Sequence, residues 1–374
     1  MKNLVIFFLV ITTRLCISQN ESILNIDSGW VFCKLGEKKM YPAKVPGTVH
    51  TDLLYNKLIP DPFYGSNEKE LQWIEECNWE YLCKFDCSEE IIQKKNIELV
   101  FEGLDTYAKV YLNDSLIISA FNMFRIWKSD VRKLLKSRNN KLYLVFESAV
   151  NKGIEAAGKL PYTLPGGEKV YTRKAAYQYG WDWGPRFVTC GIWKPVKIEA
   201  WNYFRINNVQ VTTESIKMDS SLADISTTLE IISDDESEFI ISITDKANGK
   251  ILCTNSAHIR TGVNEISCNF RIEDTMLWWC NGSGRPCLYN FLIEATNSGH
   301  ITKIKEIQTG LRTIELVQDD GQFYFKLNGI PVFIKGANII PPDNFLTRLT
   351  HEKYLELVNN AANVYMNMLR IWGG

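Results

Sequence analysis

The stretch Lys141-Leu142-Tyr143-Leu144-Val145-Phe146 places Leu142, Leu144 and Phe146 on one side and Lys141, Tyr143 and Val145 on the other. A two-residue period of this kind is the signature of a half-buried β-strand. Ile97-Glu98-Leu99-Val100-Phe101 and Ala108-Lys109-Val110-Tyr111-Leu112 read the same way, and Gly, Asn, Asp and Ser punctuate the runs between them. From Trp30 to about Trp201 the pattern predicts an antiparallel β-sandwich or jelly roll. A second block of short strands runs from about Tyr203 to Arg312, with strands expected at residues 227–232, 238–244, 250–259 and 288–295. Their spacing suits a smaller sandwich, and the polar residues 213–221 read as a loop inside it.

The last segment changes character. Gly329-Ile330-Pro331-Val332-Phe333-Ile334-Lys335-Gly336 reads as one short apolar strand. A helix from Glu352 to about Asn363 follows, capped by Thr350, with Tyr354, Leu355, Val358 and Ala362 at helical spacing. Met366-Asn367-Met368-Leu369-Arg370-Ile371-Trp372 then reads as a buried strand, so the order is strand, helix, strand, the opening of a βα repeat.

Length and composition limit the function classes. The 374 residues allow two to three domains, and 11 Trp, 16 Tyr and 18 Phe exclude a disordered chain. With 42 basic and 43 acidic residues the net charge is −1, which argues against nucleic acid as a partner. No internal apolar run reaches the ~18 residues that a membrane span requires.

The first residues read as a secretory signal: Lys2, the apolar run at residues 4–13 (LVIFFLVITT), then Cys16 and Ser18 before a cleavage after Ser18. A buried first strand is the other reading of the same run. Asn20, Asn113 and Asn281 open Asn-X-Ser acceptors, the last two at turn-like sequences, which also points to the secretory pathway. Of the 10 cysteines, nine remain once Cys16 is removed, and no Cys-x-x-Cys pair occurs. One or two structural disulfides of unassigned connectivity are expected, and no metal site.

The densest cluster of chemistry is Tyr177-Gln178-Tyr179-Gly180-Trp181-Asp182-Trp183-Gly184-Pro185-Arg186. Indole faces stack on the C–H face of a pyranose, and a carboxylate accepts hydrogen bonds from vicinal hydroxyls, so the cluster suits a carbohydrate. Composition alone equally allows two core tryptophans flanking a turn aspartate.

The stretch Trp181-Asp182-Trp183-Gly184-Pro185, followed by Gly191-Ile192-Trp193-Lys194-Pro195-Val196, resembles the β-mannosidases of glycoside hydrolase family 2. So do Val45-Pro46-Gly47-Thr48-Val49-His50-Thr51-Asp52-Leu53, Gly336-Ala337-Asn338-Ile339-Ile340-Pro341-Pro342-Asp343 and Asn367-Met368-Leu369-Arg370-Ile371-Trp372-Gly373-Gly374. The resemblance implies a multidomain β plus α/β architecture. A signal peptide (1–18) precedes a jelly-roll sugar-binding domain (19–202), an immunoglobulin-like sandwich (203–313) and the truncated start of a (β/α)₈ TIM barrel (314–374).

It further implies retaining hydrolysis of terminal non-reducing β-mannose from oligosaccharides, without a cofactor, in a lysosomal or secreted enzyme. Asp182 would bond sugar hydroxyls, Trp181 and Trp183 would shape the pocket, and Arg370 would touch the bound sugar. Ile339 stands where relatives usually carry Trp. The two catalytic glutamates, about 5–5.5 Å apart in a retaining enzyme, are expected beyond Gly374, so the 374-residue chain is expected to be inactive and its residues from about 320 onward poorly packed. The alternative is a non-catalytic secreted carbohydrate-binding protein built from the two sandwiches.

Overall fold

The computed structural model describes residues 21–217, 222–319 and 321–372. The expected signal segment with Cys16, the acceptor Asn20 and the closing Gly373-Gly374 lie outside the described residues. The chain divides into two compact units. Among the described residues, one contains residues 21–202, 280–284 and 332–372, and the other lies within 203–279 and 285–331.

In the first unit, ten strands form two antiparallel sheets. The six-stranded sheet runs Tyr41–Pro42, Trp30–Lys34, Trp79–Phe85, Asn140–Glu147, Tyr107–Leu112, Ser115–Phe121. The four-stranded sheet runs Glu21–Asn25, Val196–Trp201, Asn96–Phe101, Trp127–Asp130. The alternation in Lys141–Phe146 has its expected consequence, since Leu142, Leu144 and Phe146 are fully buried in the core with Phe32, Tyr81, Leu99, Phe101 and Val110. Asn113 and Asp114 form the two-residue turn between Tyr107–Leu112 and Ser115–Phe121, with φ of +49° and +69°. Asn and Asp tolerate this left-handed conformation, whose twist matches that of a hairpin. Thr48 caps the short helix Val49–Tyr55 in a reciprocal arrangement with Thr51, which fixes His50 and Asp52 inside the unit.

The second unit holds a sandwich of a three-stranded sheet (Phe204–Ile216, Leu222–Ser233, Gly262–Glu273) and a four-stranded sheet (Lys250–Ile259, Ser237–Asp245, Tyr289–Asn297, Thr302–Thr309). Phe204, Leu229, Ile231, Phe239, Ile241, Phe291 and Ile293 fill the space between them. The expected loop at 213–221 is corrected at its start: residues 213–216 continue the strand Phe204–Ile216 through a register shift between Thr213 and Ser215. This strand pairs on one side only, and an edge strand tolerates the polar residues that read as a loop. Residues 218–221 lie outside the described residues.

The last segment also departs from expectation. Residues 329–336 are not one strand: Ile330–Val332 ends where Gly336–Ile339 has yet to begin. Asn367 fills the gap, its Oδ1 accepting from Lys335 N at 2.8 Å and its Nδ2 donating to Phe333 O at 3.0 Å. Gly336–Ile339 then pairs in parallel with Met368–Ile371, and the helix His351–Asn363 connects them, with Thr350 Oγ1 accepting from Lys353 N. The strand read as buried is largely exposed, with Ile371 at 75%. Among the described residues its sheet has two strands, and none of the helix is buried.

Candidate functional site

Tyr179–Trp181 pairs antiparallel with Gly184–Arg186, Tyr179 opposite Arg186 and Trp181 opposite Gly184. Asp182 and Trp183 are therefore the two-residue tip of a hairpin. Gly180 enters it at φ +89°, a conformation L side chains avoid, and a Cβ there would meet the Cβ of Arg186 at 3.4 Å.

The side chain of Arg186 is the clamp of this hairpin. Its Nε and Nη2 donate to Glu75 Oε1 at 2.9 and 2.6 Å, and Nη2 also donates to Glu168 Oε1 at 2.9 Å. Its backbone N–H donates to Glu68 Oε1 at 2.6 Å, while Gln72 Nε2 donates to its carbonyl at 3.1 Å. Burial raises the Glu75 carboxyl above its ordinary range in spite of Arg186. Burial also opposes the charge of Glu168, but its own backbone N–H and Arg186 hold it below its ordinary range. Both carboxylates therefore act as counter-ions to one guanidinium.

Further bonds fix the hairpin from behind. Thr172 Oγ1 and Tyr179 Oη lie 2.9 Å apart, and Asn344 Nδ2 donates to Pro185 O at 3.0 Å. The buried ammonium of Lys174 donates to both oxygens of Asp105 at 2.5 Å and to Thr189 O at 2.7 Å. Burial pulls Lys174 below its ordinary range against the pull of Asp105. Next to Asn344, Phe345 stacks on His50 with ring centroids 5.4 Å apart, and Phe187 meets the His50 ring edge-on at 5.6 Å. Burial pushes His50 down to about 3. The neighbouring Asp52 accepts from Lys44 N and Tyr81 Oη, both at 2.9 Å, yet burial still raises its carboxyl to about 7.

The hairpin tip forms an aromatic corner. Trp372, just past the strand Met368–Ile371, lies edge-on to Trp181 at 5.4 Å and to Trp183 at 6.1 Å. Trp183 also packs on Tyr177, and Lys169 Nζ sits 4.7 Å from the centre of the Trp181 ring. The indole nitrogen of Trp183 is buried and has no hydrogen-bond partner among the described residues. Trp181 remains 39% exposed and Asp182 is exposed at the tip. On the adjoining strands, Arg370 lies opposite Asn338 and donates to its Oδ1 at 3.0 Å. A part-exposed indole beside an exposed carboxylate, with a guanidinium two residues from the third indole, can bind a ligand that is polar at its edges and apolar on its faces.

Of the residues singled out in the sequence, Trp181, Asp182 and Trp183 share the hairpin, and the strand carrying Arg370 reaches it through Trp372. Ile339 lies at the end of the partner strand, where its carbonyl accepts from Trp372 N at 3.1 Å. The acceptors Asn113 and Asn281 lie elsewhere. Asn113 Nδ2 donates to Leu134 O and Asn140 Oδ1, and Asn281 Nδ2 donates to Ala362 O and Met366 O. A glycan on either nitrogen would replace one of these donors.

Sequence reasoning quoted Trp372 and Arg186 within its motifs but gave them no role, and it did not single out Glu75, Glu168 or Asn344. The spacing of Trp372 from Arg370, two residues along the chain, was the available signal. Among the described residues no cluster of three or more His, Cys, Asp or Glu could hold a metal ion, and no helix is long and apolar enough to cross a membrane.

Residues 30–194 match the family description "Glycosyl hydrolase 2 galactose-binding domain-like", and residues 204–312 match "Glycosyl hydrolases family 2". The chain is 33% identical to the β-mannosidase of Capra hircus over 361 residues, covering 89% of this chain. The chain belongs to glycoside hydrolase family 2. Another relative in the family is the β-mannosidase B of Thermothelomyces thermophilus, 32% identical over 94% of this chain. The β-D-mannosidase of Dictyoglomus thermophilum superposes with a TM-score of 0.87 at 38% identity, again over 94% of this chain. An exo-chitosanase of Amycolatopsis orientalis shares the fold, with a TM-score of 0.75 at 17% identity. This family-2 chain spans 40% of the Capra hircus relative and 42% of the Thermothelomyces thermophilus one.

Proposed function

We propose that these residues are the sugar-gripping portion of a retaining β-mannosidase that removes terminal β-linked mannose from oligosaccharides. The observation that carries the reading is the corner formed by Trp181, Trp183 and Trp372 around the exposed Asp182. In this reading Asp182 accepts hydrogen bonds from vicinal sugar hydroxyls, the indoles stack on the C–H faces, and Arg370 donates to a sugar oxygen. The jelly-roll domain is residues 19–202 and the immunoglobulin-like one 203–313. Residues 314–374 open a (β/α)₈ barrel, a reading supported by the parallel pairing of Gly336–Ile339 with Met368–Ile371 across a helix.

The chemistry would be a double displacement. One glutamate attacks the anomeric carbon while a second protonates the leaving oxygen, and water then releases mannose with its configuration retained. We place both glutamates outside these 374 residues. Glu75 and Glu168, which approach the hairpin, are committed to Arg186, and Glu68 to the Arg186 backbone. The apolar run at residues 4–13 and the Asn-X-Ser acceptors at Asn20, Asn113 and Asn281 support passage through the secretory pathway to a lysosomal or secreted destination.

The test is turnover of an aryl β-mannoside. The purified 374-residue chain should show none. A chimaera in which residues 21–372 replace the matching part of the Dictyoglomus thermophilum β-D-mannosidase should hydrolyse it with retention. Turnover by the chain alone would place the catalytic pair inside it. A folded chimaera that binds and hydrolyses no β-mannoside would remove the reading in favour of a non-catalytic carbohydrate-binding protein.

A further inference from the structure

In the second unit, Lys250–Ile259 and Gly262–Glu273 belong to different sheets but are joined by only Arg260 and Thr261. The chain thus crosses from the edge of one sheet to the edge of the other, and residues equally far from the turn face each other across the side of the sandwich. Cys253 lies seven residues before Arg260, and Cys268 lies seven residues after Thr261. The register is visible next to them, where Asn255 Nδ2 donates to Ser267 O at 3.2 Å.

Strand alternation turns both thiols inward. Cys253 shares the half-buried row with Asn255 and Ala257, and Cys268 is buried in a row with Ile266 and Phe270. Cys253 packs against the core that contains Cys268, so the two side chains share the same side of the sandwich. Burial and the proximity of Cys253 push the Cys268 thiol up to about 11. A cavity of about 760 Å³ opens at the same edge, lined by Leu252 and Asn269, each adjacent in sequence to one of the cysteines. Both cysteines are free thiols in the structure.

We propose that Cys253 and Cys268 form a dithiol that closes to a disulfide between the two sheets on meeting a low-molecular-weight disulfide such as oxidised glutathione. The part-exposed Cys253 loses its proton to solvent, and its thiolate attacks one sulfur of the reagent. The reagent's S–S bond breaks, one glutathione thiolate leaves and takes up a proton, and a mixed disulfide remains on Cys253. Cys268 then loses its proton and attacks Cys253 Sγ, releasing the second glutathione. Two protein thiols are oxidised by two electrons and the reagent is reduced to two thiols. Cys268 resolves rather than initiates, because burial keeps its proton on. The bond would staple the open side of the sandwich, and this inference does not depend on the sugar site.

The experiment equilibrates the whole purified chain in a glutathione buffer poised as in the endoplasmic reticulum, blocks remaining thiols with iodoacetamide and digests with trypsin. Arg260 lies between the cysteines, so the peptides at 251–260 and 261–271 separate unless linked. The expected product is the linked pair, about 2 Da lighter than the sum of its two peptides. Its formation should raise the thermal midpoint by on the order of 5–10 °C, reversed by reductant and absent in Cys253→Ser. Recovery of both peptides alkylated at equilibrium, or of either cysteine joined to a different one, would overturn the proposal without any variant having to fold.

Discussion

Trp183 has a packing role and, in the proposed site, a recognition role as well. Its ring is held by Tyr177 and Trp372, while its N–H is buried without a partner among the described residues. A buried donor left unpaired costs about 1–3 kcal/mol, which a bound hydroxyl at that point would recover. Trp183→Phe should therefore cost little stability beyond its lost volume, yet weaken β-mannoside binding. Parallel urea unfolding and ligand titration separate the two effects, and equal binding by both proteins would mean that the N–H plays no part.

His50 and Asp52 supply a second residue-scale test, because their titrations oppose each other. Asp52 titrates near 3.8 when unfolded and near 7 when folded, so between those values only the folded chain holds its proton, and stability rises as pH falls. His50 titrates near 6.5 unfolded and near 3 folded, so between those values only the unfolded chain holds its proton, and stability falls as pH falls. From pH ~4 to ~6.5 the two slopes, each about 1.4 kcal/mol per pH unit, cancel. His50→Phe keeps a ring between Phe187 and Phe345 and should leave a chain that becomes more stable toward acid. Asp52→Asn should become less stable over the same range. Urea midpoints at pH 6.5, 5.5 and 4.5 provide the comparison, and identical slopes in both variants would contradict it.

At the scale of elements, the hairpin depends on Arg186. Removing its side chain leaves Glu75, 8% exposed, beside Glu168 with no cation between them. Arg186→Ala should cost about 3–5 kcal/mol, the range for stranding a buried charge, and Arg186→Lys less, because an ammonium cannot span both carboxylates in the same fork. Chemical denaturation measures the cost, and a loss under ~1 kcal/mol would show that water replaces the clamp without penalty. Elements of this size differ in how far they can be read from sequence. The turn at Asn113-Asp114, the cap at Thr350 and the strand Lys250–Ile259 are local and were legible. The partners of Arg186 were not, since Glu75 lies 111 residues away in sequence and no local pattern encodes that meeting. The break in 329–336 was hidden for a related reason, because the side chain that fills it belongs to Asn367.

At the scale of the whole molecule, both sandwiches were legible because each strand shows one face to a core and the other to solvent or a neighbour. The corner of Trp181, Trp183 and Trp372 was only half legible: motifs contained all three residues, but their meeting depends on a parallel strand pair that brings Trp372 to the hairpin. The segment around that pair leaves apolar groups uncovered, with Phe333 at 83%, Tyr365 at 71% and Ile371 at 75% exposure. An uncovered apolar sheet is a template for association. The 374-residue chain should self-associate with rising concentration, and Phe333→Ser with Ile371→Ser should reduce this without lowering the unfolding midpoint of either sandwich. Light scattering and calorimetry on the same samples would show it, and unchanged scattering in the double variant would locate the contact elsewhere.

The central claim is that the Trp181-Asp182-Trp183 hairpin grips mannose. Saturation-transfer NMR on the 374-residue chain with methyl β-D-mannopyranoside tests it most directly, using Asp182→Ala as the control. Asp182 is exposed, so its removal should change stability by no more than about 0.5 kcal/mol. We expect transfer to the sugar C–H protons from the unaltered chain and its loss in Asp182→Ala. Equal transfer from both proteins, or none from the unaltered one, would contradict the account.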